Sequence, residues 1–491
     1  MMRLTAPAFF RMRPLGTLSL SMLLASCANF QPIAPANPTI NKVSMSLPAG
    51  VSQSEDAWPA TGWWTAYGDP QLNRLIEHAL ANNPNLAVAQ ARIARAQASA
   101  DLSHTATSPQ VNGSVDLSYG RQSENYLVPR PPVGTGGEYV SQGQAAVSFG
   151  LDLDLWGRNA ALIRAADAQL KSAVYDREAT RLALTTSIAR AYTQLAAQYD
   201  MQDVLSATLE QRRSIRRLID QRVKNGLDTQ VEVRQAETNE AGLRIEIEQL
   251  ATSARVTRLQ LAALAGDMPS AAEGMSRPKL TFSGFRLPTG LPLDLLGRRP
   301  ELAAQRARIE AAYGEADAAK AQFYPNINLN GLIGFQAIGL GNLLSAGSLT
   351  NSAGPAIRLP IFDAGRLRAN YAGKASDIDA AIAQYNQSVL GAAQDVAEQL
   401  TRFADLDREE AVTREALAAA EEAHRLATLR YKGGLSPYLT VLTVESQLLA
   451  QRRAMANLKA RREDLNIALV RALGGGFDTS TTAPQASLQQ K

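Results

Sequence analysis

The groups in this chain with chemistry to offer are three histidines, one cysteine and a few carboxylates set between apolar residues. A catalytic or metal centre needs such groups in a constellation, with ligand spacing or with a base beside a nucleophile. His78, His104 and His424 are scattered, none pairs with a thiol, and no two have ligand spacing. No GxxxxGK[ST] phosphate loop occurs. These residues give no support to an enzyme, a metal site or a bound cofactor. The carboxylates read differently. In VSFGLDLDLWGR (147 to 158), Val147, Phe149, Leu151, Leu153 and Leu155 take every second position, with Ser148, Gly150, Asp152 and Asp154 between them. That is a strand with one apolar face and one face for water.

Cys27 is the only cysteine, so it forms neither an internal disulfide nor a cysteine-based metal site. It closes the segment MMRLTAPAFFRMRPLGTLSLSMLLASC, in which basic residues precede an apolar run from Leu15 to Leu24 and then small residues. This is the layout of a secretory signal, too short to span a bilayer. Leu24-Ala25-Ser26-Cys27 resembles the bacterial lipobox, which implies removal of residues 1 to 26 and acylation of Cys27 as the first mature residue. Several acyl chains, at roughly 0.8 kcal/mol per buried methylene, would hold it stably on a membrane. The sorting rule attached to that motif implies the outer membrane, because Ala28 is not aspartate.

The net charge of +4 is not a nucleic-acid footprint: without Arg3, Arg11 and Arg13 the 50 basic residues become 47, against 46 acidic ones. No other run of 18 residues is continuously apolar, so no inner-membrane helix is expected.

The elements that position these residues occur twice. Pro84, Leu86 and Pro109 recur 216 residues later as Pro300, Leu302 and Pro325. Gly157-Arg158 recurs 208 residues later as Gly365-Arg366, and RVKNGL (222 to 227) as RYKGGL (430 to 435). The change of offset falls between the members of a pair of alternating runs, where a loop varies. The pattern predicts strands at about 110 to 121 and 142 to 156, repeated at 326 to 338 and 354 to 363. Residues 158 to 224 hold no proline or glycine, which predicts a rod on the order of 100 Å. Its counterpart at 366 to 432 carries Ile378, Ile382, Tyr385, Val389, Ala392, Val396, Leu400 and Phe403 at near-3.5 spacing. Each rod ends in lysine and glycine, with Asp228 or Ser436 expected to cap a returning helix, at 228 to 265 and 437 to 473. The expected divisions are a segment from the anchor at 27 to 84, repeats at 85 to 266 and 300 to 474, a linker at 267 to 299 and a flexible tail at 475 to 491.

Strands of this length with one apolar face match the signature of a transmembrane barrel. A barrel in lipid must close, four strands cannot, and known barrels need about eight or more. Several chains would have to combine, and three would supply twelve strands. On this reading Phe149, Leu151 and Leu153 face lipid, while Asp116, Asp152 and Asp154 face a lumen. A lipid-anchored coiled-coil scaffold without a channel is the rival reading; it has no use for a lipid-facing strand face.

GWWTAYGDPQLNRLIEHALANNPNL (62 to 86), the DLWGR and FDAGR junctions and the two tips together resemble the outer membrane factors, the TolC-like family, in its NodT-type lipoprotein branch. The resemblance implies a mainly α chain with a membrane β portion. It implies a homotrimer with a 12-stranded barrel continuous with a 12-helix periplasmic tunnel, and residues 267 to 299 in a belt around it. It further implies a passive outer membrane exit duct that works with a periplasmic adaptor and an inner-membrane pump of resistance-nodulation-division type; some relatives instead serve type I secretion. Carried onto this chain, Gly226, Leu227, Gly434, Leu435 and Ser436 are the tips that meet the adaptor. The segment 438 to 447 is the narrow entrance, with Leu439, Thr440, Leu442 and Thr443 as gate; relatives often have aspartate where Thr440 and Thr443 stand, so the acidic ring is missing. The alternative, that these leucines only pack the coiled coil, stays open.

Overall fold

The computed structural model describes residues 35–36, 38–41, 53–54, 58–125, 137–281, 287–288, 297–363 and 365–479. Cys27, the signal segment, and most of the tail lie outside the described residues. The chain forms two compact units, one of Met1–Pro38, Ala96–Leu170 and Arg308–Ala383, the other of Thr39–Arg95, Lys171–Ala307 and Gln384–Lys491.

Helices α1 (Pro70–Asn82) and α2 (Pro84–Thr105) come first. Strands β1 (Gln110–Arg121) and β2 (Tyr139–Asp152) follow, then α3 (Arg158–Lys224) and α4 (Gln230–Ala265). The second half repeats the plan as α5 (Pro300–Ala321), β3 (Asn326–Ile338), β4 (Leu349–Arg358), α6 (Arg366–Lys432) and α7 (Tyr438–Ala472). Both α3 and α6 are 67 residues long. The α6 seam is buried from Ile378 through Leu400, with Phe403 partly buried at its end.

The first unit contains one antiparallel sheet in the order β1-β2-β3-β4. Paired residues share a face, so the register sorts the side chains. Val111↔Phe149, Val147↔Ile333, Leu151↔Leu329 and Ile327↔Ile357 fall on an apolar face. Asn112↔Ser148, Asp116↔Gln144, Gln144↔Gln336 and Asp152↔Asn328 fall on the polar one.

Two strand ends differ from expectation. β4 spans Leu349–Arg358 rather than 354 to 363. Pro360 has no N–H to extend the ladder and forces the residue before it out of easy pairing, while Leu349 finds a partner in Phe335. Leu359 and Ile361 therefore lie past the strand. β2 stops at Asp152, not 156, and this corrects the reading of Asp154 as a lumen-facing strand residue. Asp154 has φ +40, and its carboxylate accepts the N–H groups of Asn159 and Ala160, each at 2.9 Å. It caps the start of α3, satisfying donors that have no intrahelical partner.

The second unit holds a core in which Trp63, Trp64 and Tyr67 pack with Leu72 and Ile76 of α1, Ile188, Tyr192 and Leu195 of α3, Leu261 of α4 and Ile467 of α7. Asp69 pins this core. Its carboxylate accepts the Gln71 N–H at 2.9 Å, the Lys279 N–H at 2.7 Å and the Tyr192 hydroxyl at 2.7 Å. Burial pushes its pKa up, but the hydrogen bonds from Lys279, Tyr192 and Gln71 outweigh this and hold it below the ordinary carboxylate value. A lowered folded pKa contributes stability above the unfolded value, about 3.9, and that stability is lost as pH falls through the folded one. Asp69→Asn should lower the unfolding free energy at neutral pH by about 1–3 kcal/mol. It should also flatten the acid limb below about pH 4 in denaturation in mild detergent; an acid limb as steep as that of the parent chain would contradict the assignment.

Candidate functional site

Two regions carry the residues of interest: the sheet of the first unit and the helical-hairpin ends of the second. In the sheet, Val111, Val115, Leu117 and Tyr119 of β1 and Ile357 of β4 are each at least 60% exposed. Exposed apolar side chains scattered singly are ordinary, but a whole sheet face of them marks a contact with something other than water. Tyr119 and Tyr139 stack at one end of the sheet with centroids 5.9 Å apart. Trp156 and Tyr324 stack just past the other end at 4.9 Å, and the Trp156 indole donates to the Pro325 carbonyl at 2.7 Å. Aromatic residues at both limits of an apolar strand band are the pattern of a barrel at two lipid–water interfaces. No helix among the described residues is long and apolar enough to cross a membrane. On the polar face, Asp116 is exposed, and Asp152 lies between Arg158 at 3.7 Å and the Asn326 amide at 3.4 Å.

The two hairpin turns in the second unit are built alike. Gly226 and Gly434 sit at φ +69 and +72, the left-handed conformation that ends a helix at low cost in glycine. Leu227 N–H then donates to the Arg222 carbonyl, and Leu435 N–H to that of Arg430, both at 2.8 Å. The two leucines point into solvent, at 63% and 73% exposure. The expected caps are corrected. Thr229, not Asp228, caps α4, in a reciprocal box with Glu232. Pro437 occupies the cap position of α7 without a side-chain bond, and the Ser436 hydroxyl is buried with no partner among the described residues.

Asp228 does something else. Arg222 donates to it through Nε at 2.9 Å, and the Tyr431 hydroxyl donates to the same carboxylate at 2.5 Å. Arg222 also donates to the Tyr431 carbonyl at 3.2 Å, with its guanidinium 4.7 Å from the Tyr431 ring centre. Asp228 holds the Arg222 guanidinium above its usual value, while burial, then Asp228, pushes the Tyr431 phenol up. One turn is thereby tied to the other by a charge-assisted knot.

Deeper in the same bundle lies a second tie. On α7, Tyr438, Val441, Glu445 and Leu448 form the buried stripe. Glu445 accepts from Arg212 Nε at 3.0 Å, and Arg212 also donates to the Asn239 carbonyl at 2.8 Å. Burial raises the Glu445 pKa despite the opposing pull of Arg212. Glu240, also buried, pairs with Arg216 at 3.1 Å. The residues expected from the resemblance to form a gate fall on the other side of α7: Leu439, Thr440 and Thr443 are exposed and Leu442 half-buried, and the Thr443 hydroxyl donates to the Leu439 carbonyl at 2.9 Å. The knots at Arg222 and Arg212 were not foreseen from sequence. A signal existed for the second, since a carboxylate standing at i+4 from Val441 and i−3 from Leu448 in an apolar stripe demands a partner.

The histidines are not assembled. His78 meets Asp267 at 2.9 Å, His104 meets Asp167 at 3.3 Å, and His424 meets Gln211 at 2.8 Å. Among the described residues no group of three or more His, Cys, Asp or Glu is placed to hold a metal ion. Because Arg212 and Glu445 are both buried, Arg212→Met should cost about 3–5 kcal/mol by stranding the carboxylate, and the double substitution R212M/E445M should recover most of it. Hydrogen exchange of the α7 amides reads both; equal losses in the single and double variants would contradict the pairing.

The family described as outer membrane efflux protein matches this chain over residues 75–267 and 291–475. The multidrug resistance outer membrane protein MdtP of Shigella flexneri is 31% identical over 472 residues, covering 94% of this chain and 96% of that protein. The fusaric acid resistance protein FusA of Burkholderia cepacia is 32% identical over 491 residues, covering 96% of this chain and 89% of that one. The crystal structure of the outer membrane protein VceC from Vibrio cholerae superposes with a TM-score of 0.81 at 37% identity, over 86% of this chain and all of that one. With its duplicated strand-and-helix plan, its uncovered apolar sheet face and these relatives, the chain belongs to the outer membrane efflux proteins, and its role is that of an outer membrane exit duct.

Proposed function

We propose that three copies of the chain join their four-stranded sheets into one twelve-stranded barrel, through which substrates pass without any energy input from the duct itself. The observation that carries this reading is the sheet: an apolar face on which Val115, Leu117 and Ile357 stand exposed, a polar face behind it, and two outer strands, β1 and β4, with no further strand beside them among the described residues. A sheet edge in hydrocarbon leaves backbone groups unsatisfied at several kcal/mol each. Closure with further copies removes that penalty and leaves Asp116 and Asp152 beside water.

The chain would receive its cargo from an inner-membrane pump of resistance-nodulation-division type through a periplasmic adaptor. The adaptor would dock on the exposed turn leucines, Leu227 and Leu435, beside Gly226, Gly434 and Ser436. The names of the relatives, multidrug resistance and fusaric acid resistance, favour small-molecule efflux over peptide secretion. The narrow entrance would be lined by Leu439, Thr440, Leu442 and Thr443, with the Arg222–Asp228–Tyr431 knot holding the turns together. Acyl chains on Cys27 would add an anchor to the barrel.

Purified in mild detergent, the chain should have the mass of a trimer. In planar bilayers it should show rare, discrete openings that become frequent in the double variant Asp228→Ala, Tyr431→Phe. A monomer without conductance would sink the duct reading. Cys27→Ser should lose the acyl mass of the mature N-terminus yet keep the trimer; an unchanged mass would remove the lipid anchor.

A further inference from the structure

The two strand connections at the far end of the sheet are chemically unlike. The stretch from β1 to β2 (121 to 139) carries Arg121, Glu124, Arg130 and Glu138, and Arg121 pairs with Glu124 at 2.8 Å. The stretch from β3 to β4 (GLGNLLSAGS, 339 to 348) carries no charge and holds Leu340, Leu343 and Leu344. A connection that stands in water is ordinarily polar.

This second loop folds back onto its own sheet. The Gly339 N–H donates to the Ser141 carbonyl at 2.7 Å, and the Leu340 N–H to the Ser141 hydroxyl at 3.4 Å. The Cδ2 atoms of Leu343 and Leu340 lie 2.9 and 3.0 Å from the point where a Cβ on Gly143 would stand, next to Leu117 at 3.2 Å. The two leucines therefore fill the place of a missing side chain on the apolar face, since Gly143 pairs with Leu117 and Ala337. Tyr119, which stacks on Tyr139, pairs with Ser141, two residues or about 7 Å farther out along the strand. Leu340 and Leu343 thus sit on the apolar side of the aromatic limit.

The loop also meets the demand that hydrocarbon makes on a backbone, that polar groups be bonded within the protein. The N–H groups of Asn342, Leu343, Ser345 and Ser348 donate to the carbonyls of Gly339, Leu340, Asn342 and Ser345 at 3.0 to 3.2 Å, and the Leu349 N–H to that of Ala346. The Ser348 hydroxyl donates to the Asn342 carbonyl at 2.8 Å and lies 3.1 Å from the Ser345 hydroxyl. Leu344, by contrast, is 77% exposed, so the loop spends its polar groups on itself and leaves a leucine outward.

Resting on the barrel reading above, we propose that the β3–β4 loop is seated in the membrane, lying against the outside of the barrel with Leu340, Leu343 and Leu344 among the acyl chains of the outer leaflet, while the β1–β2 connection stands in water. The occupant is lipid and not a neighbouring copy: the leucines cover β2, which has a strand on either side, and the lipid-facing surface of the sheet continues into them.

The test reads depth in the full chain, reconstituted in phospholipid vesicles, with Cys27→Ser removing the only native thiol. Leu344→Cys, Asn125→Cys and Val115→Cys are each labelled with a polarity-sensitive thiol dye, then quenched either by lipid carrying a nitroxide on its acyl chain or by iodide on both sides of the membrane. Ions are costly to bring into hydrocarbon, so the dye at 344 should follow the strand position 115, with nitroxide quenching about fivefold stronger and iodide quenching about fivefold weaker than at 125. A dye at 344 that behaves like the one at 125, while the dye at 115 is quenched by the nitroxide, overturns the seated loop and leaves the barrel standing. A dye at 115 that iodide reaches as readily as the one at 125 overturns the barrel reading, and the seated loop with it. Leu340→Asp with Leu343→Asp should bring the dye at 344 within reach of iodide without changing the response at 115; an unchanged response at 344 overturns the seat at Gly143.

Discussion

A backbone N–H or C=O at the edge of a sheet has no partner in hydrocarbon, and this constraint shapes the rest of the molecule. Among the described residues the sheet has four strands and no further strand beside either edge, and its apolar face leaves Val115, Leu117 and Ile357 largely exposed, with Leu340 and Leu343 reaching over it only at Gly143. In water such a sheet is an aggregation hazard; in a bilayer it is a fragment of a barrel. Duplication eases the problem, because two hairpins in register already supply a continuous arc, and identical copies can extend it without any new kind of contact. The alternation of Asp116 and Asp152 with leucines and valines follows from the same requirement.

The helices face the opposite problem. The rods of 67 residues pack near their turns through an apolar cluster that includes Ile215, Ile219, Val233, Tyr431, Tyr438 and Val441, and polar knots join the turns beside it. Arg222, Asp228 and Tyr431 tie turn to turn, and Arg212 with Glu445 ties α3 to α7. Buried ion pairs add little net stability compared with packed hydrocarbon, but losing one partner is costly, so they set which arrangement forms.

Much of this plan was legible in the sequence because its cues are local. The absence of proline and glycine from 158 to 224, and glycine just past each lysine, mark where α3 and α6 run and stop. Period-two alternation marks β1 and β3. The same cue misled where it ran past the end of a strand: LDLDL keeps alternating, yet Asp154 has already turned to cap α3, and alternation alone does not register a change of φ. β4 was displaced for a related reason, as Pro360 inside an apolar run outweighed the run. Caps were misassigned within one residue because Asp228 is a good capping residue that found a better partner. That partner, Tyr431, lies 203 residues away, and only the packing of one helical hairpin on the other brings it near. The spacing of residues around Asp228 holds no trace of that tie, whereas Glu445, set in the apolar stripe of α7, at least shows that a partner is needed.

The Arg222–Asp228 pair has side chains only 13% and 11% exposed, roofed by an aromatic ring. Mobile ions weaken attractions between charges that water can reach, over a Debye length of about 8 Å at physiological ionic strength, and act far less on sheltered pairs. The hairpin junction is therefore little affected by the salt content of its surroundings. What loosens it must instead enter and compete, by presenting a carboxylate to Arg222 or a cation to Asp228 at close range. Parting the two turns becomes a matter of molecular contact, which a change in salinity alone does not supply.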